Sequence, residues 1–252
     1  MGLEYDLLCA FEEHAPQDIR KALDGGISPV APIKGKRPID ILIEAYLRSP
    51  RFAECLKVML QAGATIEDPL LMAVLLDDAA TVRALAVDSR ENLEHKLSVL
   101  SAYTCCKGVT ALHICAEFNS VECAKALLDA GVNINARADV DERGLGGQTP
   151  IFHAVNNNAA HWDRNYCRPV MELLTNAGAA LDVLVKGVVW GETMPWETVV
   201  FDVTPISYAQ CGLYRQFERS ETDVYGNLSI LYRKRYGVDP PLRNVPNKYL
   251  QG

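Results

Sequence analysis

Along residues 108 to 136, GVTALHICAEFNSVECAKALLDAGVNINA, the apolar positions Leu112, Ala116, Cys123, Ala126 and Leu127 recur at helical spacing. That spacing gives two short helices one apolar face each. Neither face can be buried within the pair, so the pair needs neighbours to stack on. The punctuation agrees. Thr149-Pro150 and Thr204-Pro205 place an oxygen-bearing cap ahead of a proline whose missing N–H is harmless in a first helical turn. Gly26, Gly63, Gly131, Gly178 and Gly237 each follow an apolar-periodic stretch, the position at which a glycine ends a helix cheaply. The pattern predicts helix pairs repeated along most of the chain.

Copies of the 108–136 unit recur as GQTPIFHAV with ELLTNAGAALD, as VTPISYAQ with ILYRKRYG, more loosely as GKRPIDILIEA with VMLQAGATIED, and as a first segment ending at Gly26. The unit resembles the ankyrin repeat, whose pattern is G-x-T-P-L-H-x-A followed by a second helix ending L-L-x-x-G-A. Gly108, Thr110, Leu112, His113, Leu127, Leu128 and Gly131 match it, Ala111 stands in the proline position, and the helix alanine appears one place late, as Ala116. Between Arg37 and Thr110 lie 73 residues, about twice that family's period of roughly 33, so a degenerate repeat is expected between them. The resemblance implies an all-α ankyrin solenoid of about six helix-turn-helix repeats with enlarged β-hairpin fingers. The repeats fall roughly at 3–33, 34–67, 68–106, 107–146, 147–202 and 203–237. Residues 1–237 form one domain, and 238–252 form a Pro-rich tail. In the degenerate third repeat an extra helix is expected over Glu91 to Leu100, with a strand over Ala102 to Cys105.

Surplus residues mark where the chain departs from the repeat. Thr110 to Thr149 spans 39 residues and Thr149 to Thr204 spans 55, so both exceed the period of roughly 33. Part of the second surplus, 156–169, falls between helices. The rest precedes Thr204, where added chain lengthens the finger-like hairpins of such a stack. Segments 136–148 and 183–202 are therefore expected to stand side by side. Val188, Val189, Val199, Val200 and Phe201 are strand formers, and Gly191 to Pro195 supplies the turn. Trp190 and Trp196 admit two readings, a small loop core or anchors for a partner. With Asp139, Asp141, Glu142, Arg143, Glu192 and Glu197 around them they would form an acidic-rimmed aromatic patch, with His161 and Trp162 on the neighbouring loop.

Charge and composition narrow the function. The net charge of −7 and pI near 5.3 argue against nucleic acid and anionic membrane surfaces, which recruit clustered Lys and Arg. The basic run Arg233, Lys234, Arg235 reads as the end of a final helix. Eight cysteines without an export signal read as reduced thiols in the cytoplasm. The longest apolar run, PLLMAVLL, is far shorter than the roughly 20 residues of a membrane span.

Cys105, Cys106, His113, Cys115 and Cys123 contain zinc-ligand types, but their spacing lacks a ligand loop, and the resemblance gives His113 a helix-capping role. RGLGGQTP leads into a helix N-terminus as a phosphate loop would, yet no lysine follows and three acids stand beside it; a turn is the expected role. His153, His161, Asp163, Glu192, Glu197 and Asp202 are the candidate acid–base groups. The expectation is a non-catalytic protein-interaction module. It needs no cofactor and no metal, is monomeric when free, and binds another protein with a basic surface through its hairpin fingers and the inner-helix groove. The rival readings are an enzyme with a pocket between the fingers and loop 156–169, and a self-associating structural protein.

Overall fold

The computed structural model describes residues 2–45, 47–101, 103–156, 168–214 and 219–241. Among them twelve helices follow in pairs: α1 (Leu3–Glu12) with α2 (Pro16–Asp24), α3 (Pro38–Glu44) with α4 (Phe52–Gln61), α5 (Pro69–Leu76) with α6 (Ala79–Asp88), α7 (Ala111–Phe118) with α8 (Val121–Asp129), α9 (Pro150–Val155) with α10 (Arg168–Asn176), and α11 (Pro205–Cys211) with α12 (Glu221–Tyr236). From α5 onward α5, α7, α9 and α11 pack as one row, and α6, α8, α10 and α12 as a second. Upstream, α1 meets α3, α2 meets α4, and α4 hands the contact on to α5. The result is a helix-turn-helix solenoid.

Local chemistry sets the helix ends. Prolines open α2, α3, α5, α9 and α11. At α7 the Thr110 side chain and the His113 ring cap each other's backbone, and Thr204 with Ser207 does the same at α11. The basic run lies in the last turn of α12. Asp77, left-handed at φ 54°, ends α5. Its carboxylate accepts the N–H groups of Glu122 (3.3 Å) and Cys123 (2.8 Å) at the start of α8, so the strained residue of one pair caps a helix of the next. The apolar faces meet between the rows: Leu112, Cys123, Ala126 and Leu127 are all buried, and a fully buried leucine contributes about 1.5–3 kcal/mol. No helix of the described residues is long and apolar enough to cross a membrane.

The chain is not purely helical. β1 (Leu97–Val99) pairs antiparallel with β2 (Cys106–Val109), and β3 (Val185–Trp190) with β4 (Thr198–Val203). The second hairpin matches the expected finger. The helix expected over Glu91 to Leu100 is instead a single 3-10 turn, Arg90–Leu93, whose start is capped by the Ser89 hydroxyl, followed by β1. Pairing of Leu97 with Val109 and Val99 with Cys106 outweighs the weak helical propensity of a four-residue turn. The strand expected over Ala102 to Cys105 begins later, at Cys106. Ala102 lies outside the described residues, and Thr104 makes an isolated bridge to Trp190.

Candidate interaction site

The large finger is held on both sides of β3. On one edge β3 pairs with β4 from Val185–Val203 to Trp190–Thr198. On the other, the Gly146 N–H donates to the Gly187 carbonyl (2.8 Å), the Cys105 N–H to the Val189 carbonyl (3.0 Å), and the Gly191 N–H to the Tyr103 carbonyl (2.8 Å). The smaller finger thus lies against the larger one, as its spacing predicts. Gly187 permits this approach, because a Cβ there would come within 2.6 Å of Leu145. The smaller finger is tied in turn to β2, where the Asp139 N–H donates to the Gly108 carbonyl (3.0 Å).

The two tryptophans separate at the tip. Trp190 is 1% exposed, its ring 5.8 Å from Tyr103 and 4.9 Å from Trp196. Of the two readings open for Trp190, its burial fits the loop core: with β3 flanked on both edges, the end of the strand is covered and the ring packs inside the loop. Trp196 is 37% exposed. Its ring lies over Gly191 (φ +66°), where a Cβ would collide with it. The turn beneath is closed by Met194 N–H to the Gly191 carbonyl (3.0 Å), Glu197 N–H to the Met194 carbonyl (3.0 Å), and Thr193 N–H to the Glu197 carboxylate (3.0 Å).

The expected acidic rim is a mixed one, because bases are drawn to the carboxylates. Asp139 lies 3.4 Å from Lys96. Asp141 accepts N–H groups of Leu145 (2.8 Å) and Arg143 (2.9 Å) and the Arg143 guanidinium (2.8 Å). The Leu145 amide foremost, with the Arg143 contacts, holds its carboxyl below the usual range. Glu192 binds Lys107 (2.5 Å) and accepts the Cys105 thiol (3.1 Å). Burial, then Glu192, pushes that thiol up to about 12, so it remains a donor. Arg143, bonded first to Asp141, also feels Glu197 and Glu192 across the gap between fingers. Glu142 and Glu197 are exposed. His161, Trp162 and most of the 156–169 loop lie outside the described residues. Pattern reading missed three exposed apolar finger residues as surface contacts, Val140, Leu184 and Phe201; strand alternation alone does not tell an edge strand from a covered one.

The candidate chemical centres resolve into structural roles. The His113 ring accepts the Thr110 N–H on Nδ1 (3.1 Å) and donates from Nε2 to the Gln148 carbonyl (3.0 Å). Both nitrogens are engaged, and burial, then His153, holds the ring well below its usual pKa. His153 belongs to a buried network that sequence reasoning did not find. Glu117 accepts Ser101 (2.9 Å) and Arg48 (3.3 Å) on Oε1 and sits 3.1 Å from His153 Nδ1 through Oε2. Arg48 also donates to the Ala45 carbonyl (2.7 Å) and lies 4.3 Å over the Phe118 ring. Burial works against ionising Glu117, but His153 and Arg48 together bring its carboxyl below the usual range.

Ligand atoms of Cys106, Glu117 and His153 lie within 4.8 Å of one another. The Arg48 guanidinium already supplies the positive charge there, and burial, then Glu117, keeps the Cys106 thiol protonated. The set does not form an acid–base relay either. Cys106 (3.7 Å) and Glu117 approach the same nitrogen of His153, whereas a relay needs the base oriented through its other nitrogen. In the Gly-rich loop the amides of Gly144, Gly146 and Gly147 donate to the carbonyls of Asp141, Gly187 and Asp139. They build turns, as expected, and do not converge on an anion.

A stack of capped helix pairs with hairpins projecting between them defines a class of repeat proteins that bind through exposed loops and grooves. Residues 42–138 are matched by the family model for ankyrin repeats, in three copies, which supports the resemblance read from the sequence. No curated protein matches it.

Proposed function

We propose that the chain is a non-catalytic protein-interaction module, a single stack of six ankyrin repeats over residues 1–237, acting as a cytoplasmic monomer. Ankyrin repeats are in general protein-protein interaction modules. The observation that carries the reading for this chain is Trp196, part-exposed at the finger tip and braced on buried Trp190 over a glycine turn. An aromatic ring held in place before binding loses little entropy on capture, and such rings dominate interface energetics. Val140 on the neighbouring finger adds apolar surface, while Glu142 and Glu197 favour a partner with basic residues around an apolar patch.

The test is affinity capture from native lysate, followed by titration of the captured protein against wild type and Trp196→Ala. The variant is expected to keep its helical circular dichroism and to lose about 2 kcal/mol or more of binding, roughly 30-fold. Unchanged affinity at unchanged helicity would remove the finger tip from the interface.

A further inference from the structure

The two edges of the large finger differ. The carbonyls of Gly187 and Val189 and the N–H of Gly191 face the smaller finger and the 103–105 segment. Backbone polar groups alternate sides along a strand, so those of Val188 and Trp190 face β4. Gly187 stands opposite Phe201, and Val189 opposite Val199, which turns the N–H and carbonyl groups of Val199 and Phe201 away from β3. Among the described residues none of these outward groups has a hydrogen-bond partner. The Phe201 side chain is 60% exposed. Beside it a cavity of about 710 Å³ opens between β4, α11 and α12, with Val199, Phe201, Cys211, Leu213, Tyr214 and Tyr225 in its walls. Unpaired backbone next to an apolar recess is the geometry that accepts an added strand.

We propose that the outer edge of β4 takes up an extended segment of a partner protein, one with apolar side chains at alternate positions and a lysine or arginine beside them. This rests on the protein-binding reading but not on the Trp196 tip. The alternation follows from the pleat, since every second side chain of the added strand points to the side of the recess. The basic residue follows from charge. Glu197 and Asp202 bracket the exposed stretch, both are exposed, and neither carboxylate forms an ion pair among the described residues. Opposite charges on neighbouring strands attract, and like charges directly opposite repel. A second copy of β4 would bring its own Glu197 and Asp202 to the same edge, so the charges disfavour self-pairing and favour a basic strand. Asp202 also limits the pairing. Its left-handed backbone, φ 50°, bends the chain after Phe201, so the paired stretch is short and the side chains in the recess must supply most of the affinity.

A library of random dodecapeptides displayed on phage is panned against the full chain, and the enriched sequence is made as a synthetic peptide. Enriched sequences are expected to carry apolar residues with a period of two and a Lys or Arg beside them. The peptide should slow hydrogen exchange of the Val199 and Phe201 amides at least about tenfold. Phe201→Asp, at an exposed position, should keep wild-type helicity and weaken the peptide about tenfold. Asp202→Asn, which keeps a residue tolerant of the left-handed backbone, should weaken it a few-fold at low salt and less at high salt. Failure to enrich such a sequence, equal binding to Phe201→Asp, or protection elsewhere with β4 unchanged would overturn the proposal. So would protection of these amides that rises with protein concentration in the absence of peptide, which would assign the edge to a second copy of the chain. Trp196→Ala should bind the peptide as wild type does, so failure of the edge and failure of the tip give different results.

Discussion

Two clusters of charge in this molecule use the same residue types to opposite effect. At the finger tip Lys107 and Glu192 meet at 2.5 Å, with side chains 60% and 22% exposed. In the body Arg48 and Glu117 lie farther apart, at 3.3 Å, but both side chains are 2% exposed. The longer pair has the larger influence on the fold. Water screens the tip pair to about 0–1 kcal/mol, whereas the buried charges have no solvent to fall back on. Arg48 follows α3, Ser101 precedes β2, Glu117 is on α7 and His153 on α9. The network therefore ties the second helix pair directly to the fourth and fifth, across the irregular third.

The largest effect should come from breaking that network on one side. Glu117→Gln keeps the shape but leaves Arg48 charged against Phe118 and Tyr103, and is expected to cost about 3–5 kcal/mol, read as a lower urea midpoint. Replacing both charges, Arg48→Met with Glu117→Leu, should recover much of the loss, since removing a buried pair whole is far less harmful than stranding one partner. A Glu117→Gln cost below about 1 kcal/mol would place the buried pair in the same class as the tip pair.

The comparison also explains what could be read from the sequence. Thr-Pro helix starts, glycine stops and the capping His113 act through neighbours three or four residues away, so they are visible locally, and so are the strands and turn of the large finger. The Arg48–Glu117–His153 network joins residues 69 and 36 positions apart, and nothing in the local pattern around Arg48 marks it as buried. The fate of the two tryptophans was hidden for the same reason: Trp190 is covered by Tyr103, far upstream. The charge pattern suggested an acidic rim because Lys96 and Lys107, which offset it, come from the preceding hairpin.

A second, smaller effect separates buried from exposed titration. Burial, with Arg48 and Arg51 nearby, lowers the pKa of His14 to about 3, and His113 is lowered well below its usual value. In both, the neutral ring is the folded form, so the folded state binds fewer protons than the unfolded chain below pH 6.5. The stability from these rings is complete above pH 6.5 and is lost as pH falls toward the folded values. Between pH 6.5 and 5 each histidine should contribute a decline approaching about 1.4 kcal/mol per pH unit. Urea midpoints measured over that range for wild type and His14→Asn should show a shallower slope in the variant. Identical slopes would mean that His14 is hydrated in the native state.

The smallest effect sharpens the other side. Glu192→Gln removes the charge facing Lys107 but keeps an oxygen to accept the Cys105 thiol, so stability should change by less than about 1 kcal/mol. Its trace should appear in reactivity instead. Burial, the larger cause of the raised Cys105 pKa, remains, while the carboxylate contribution disappears. The thiol should therefore move only part of the way back toward its ordinary value. Alkylation of Cys105 by iodoacetamide at pH 9, followed on its peptide by mass spectrometry, should accelerate a few-fold, because the thiolate is the reacting form. An unchanged rate would show that the surrounding protein alone holds the proton on Cys105. A stability loss comparable to that of Glu117→Gln would instead erase the distinction between the exposed and buried pairs.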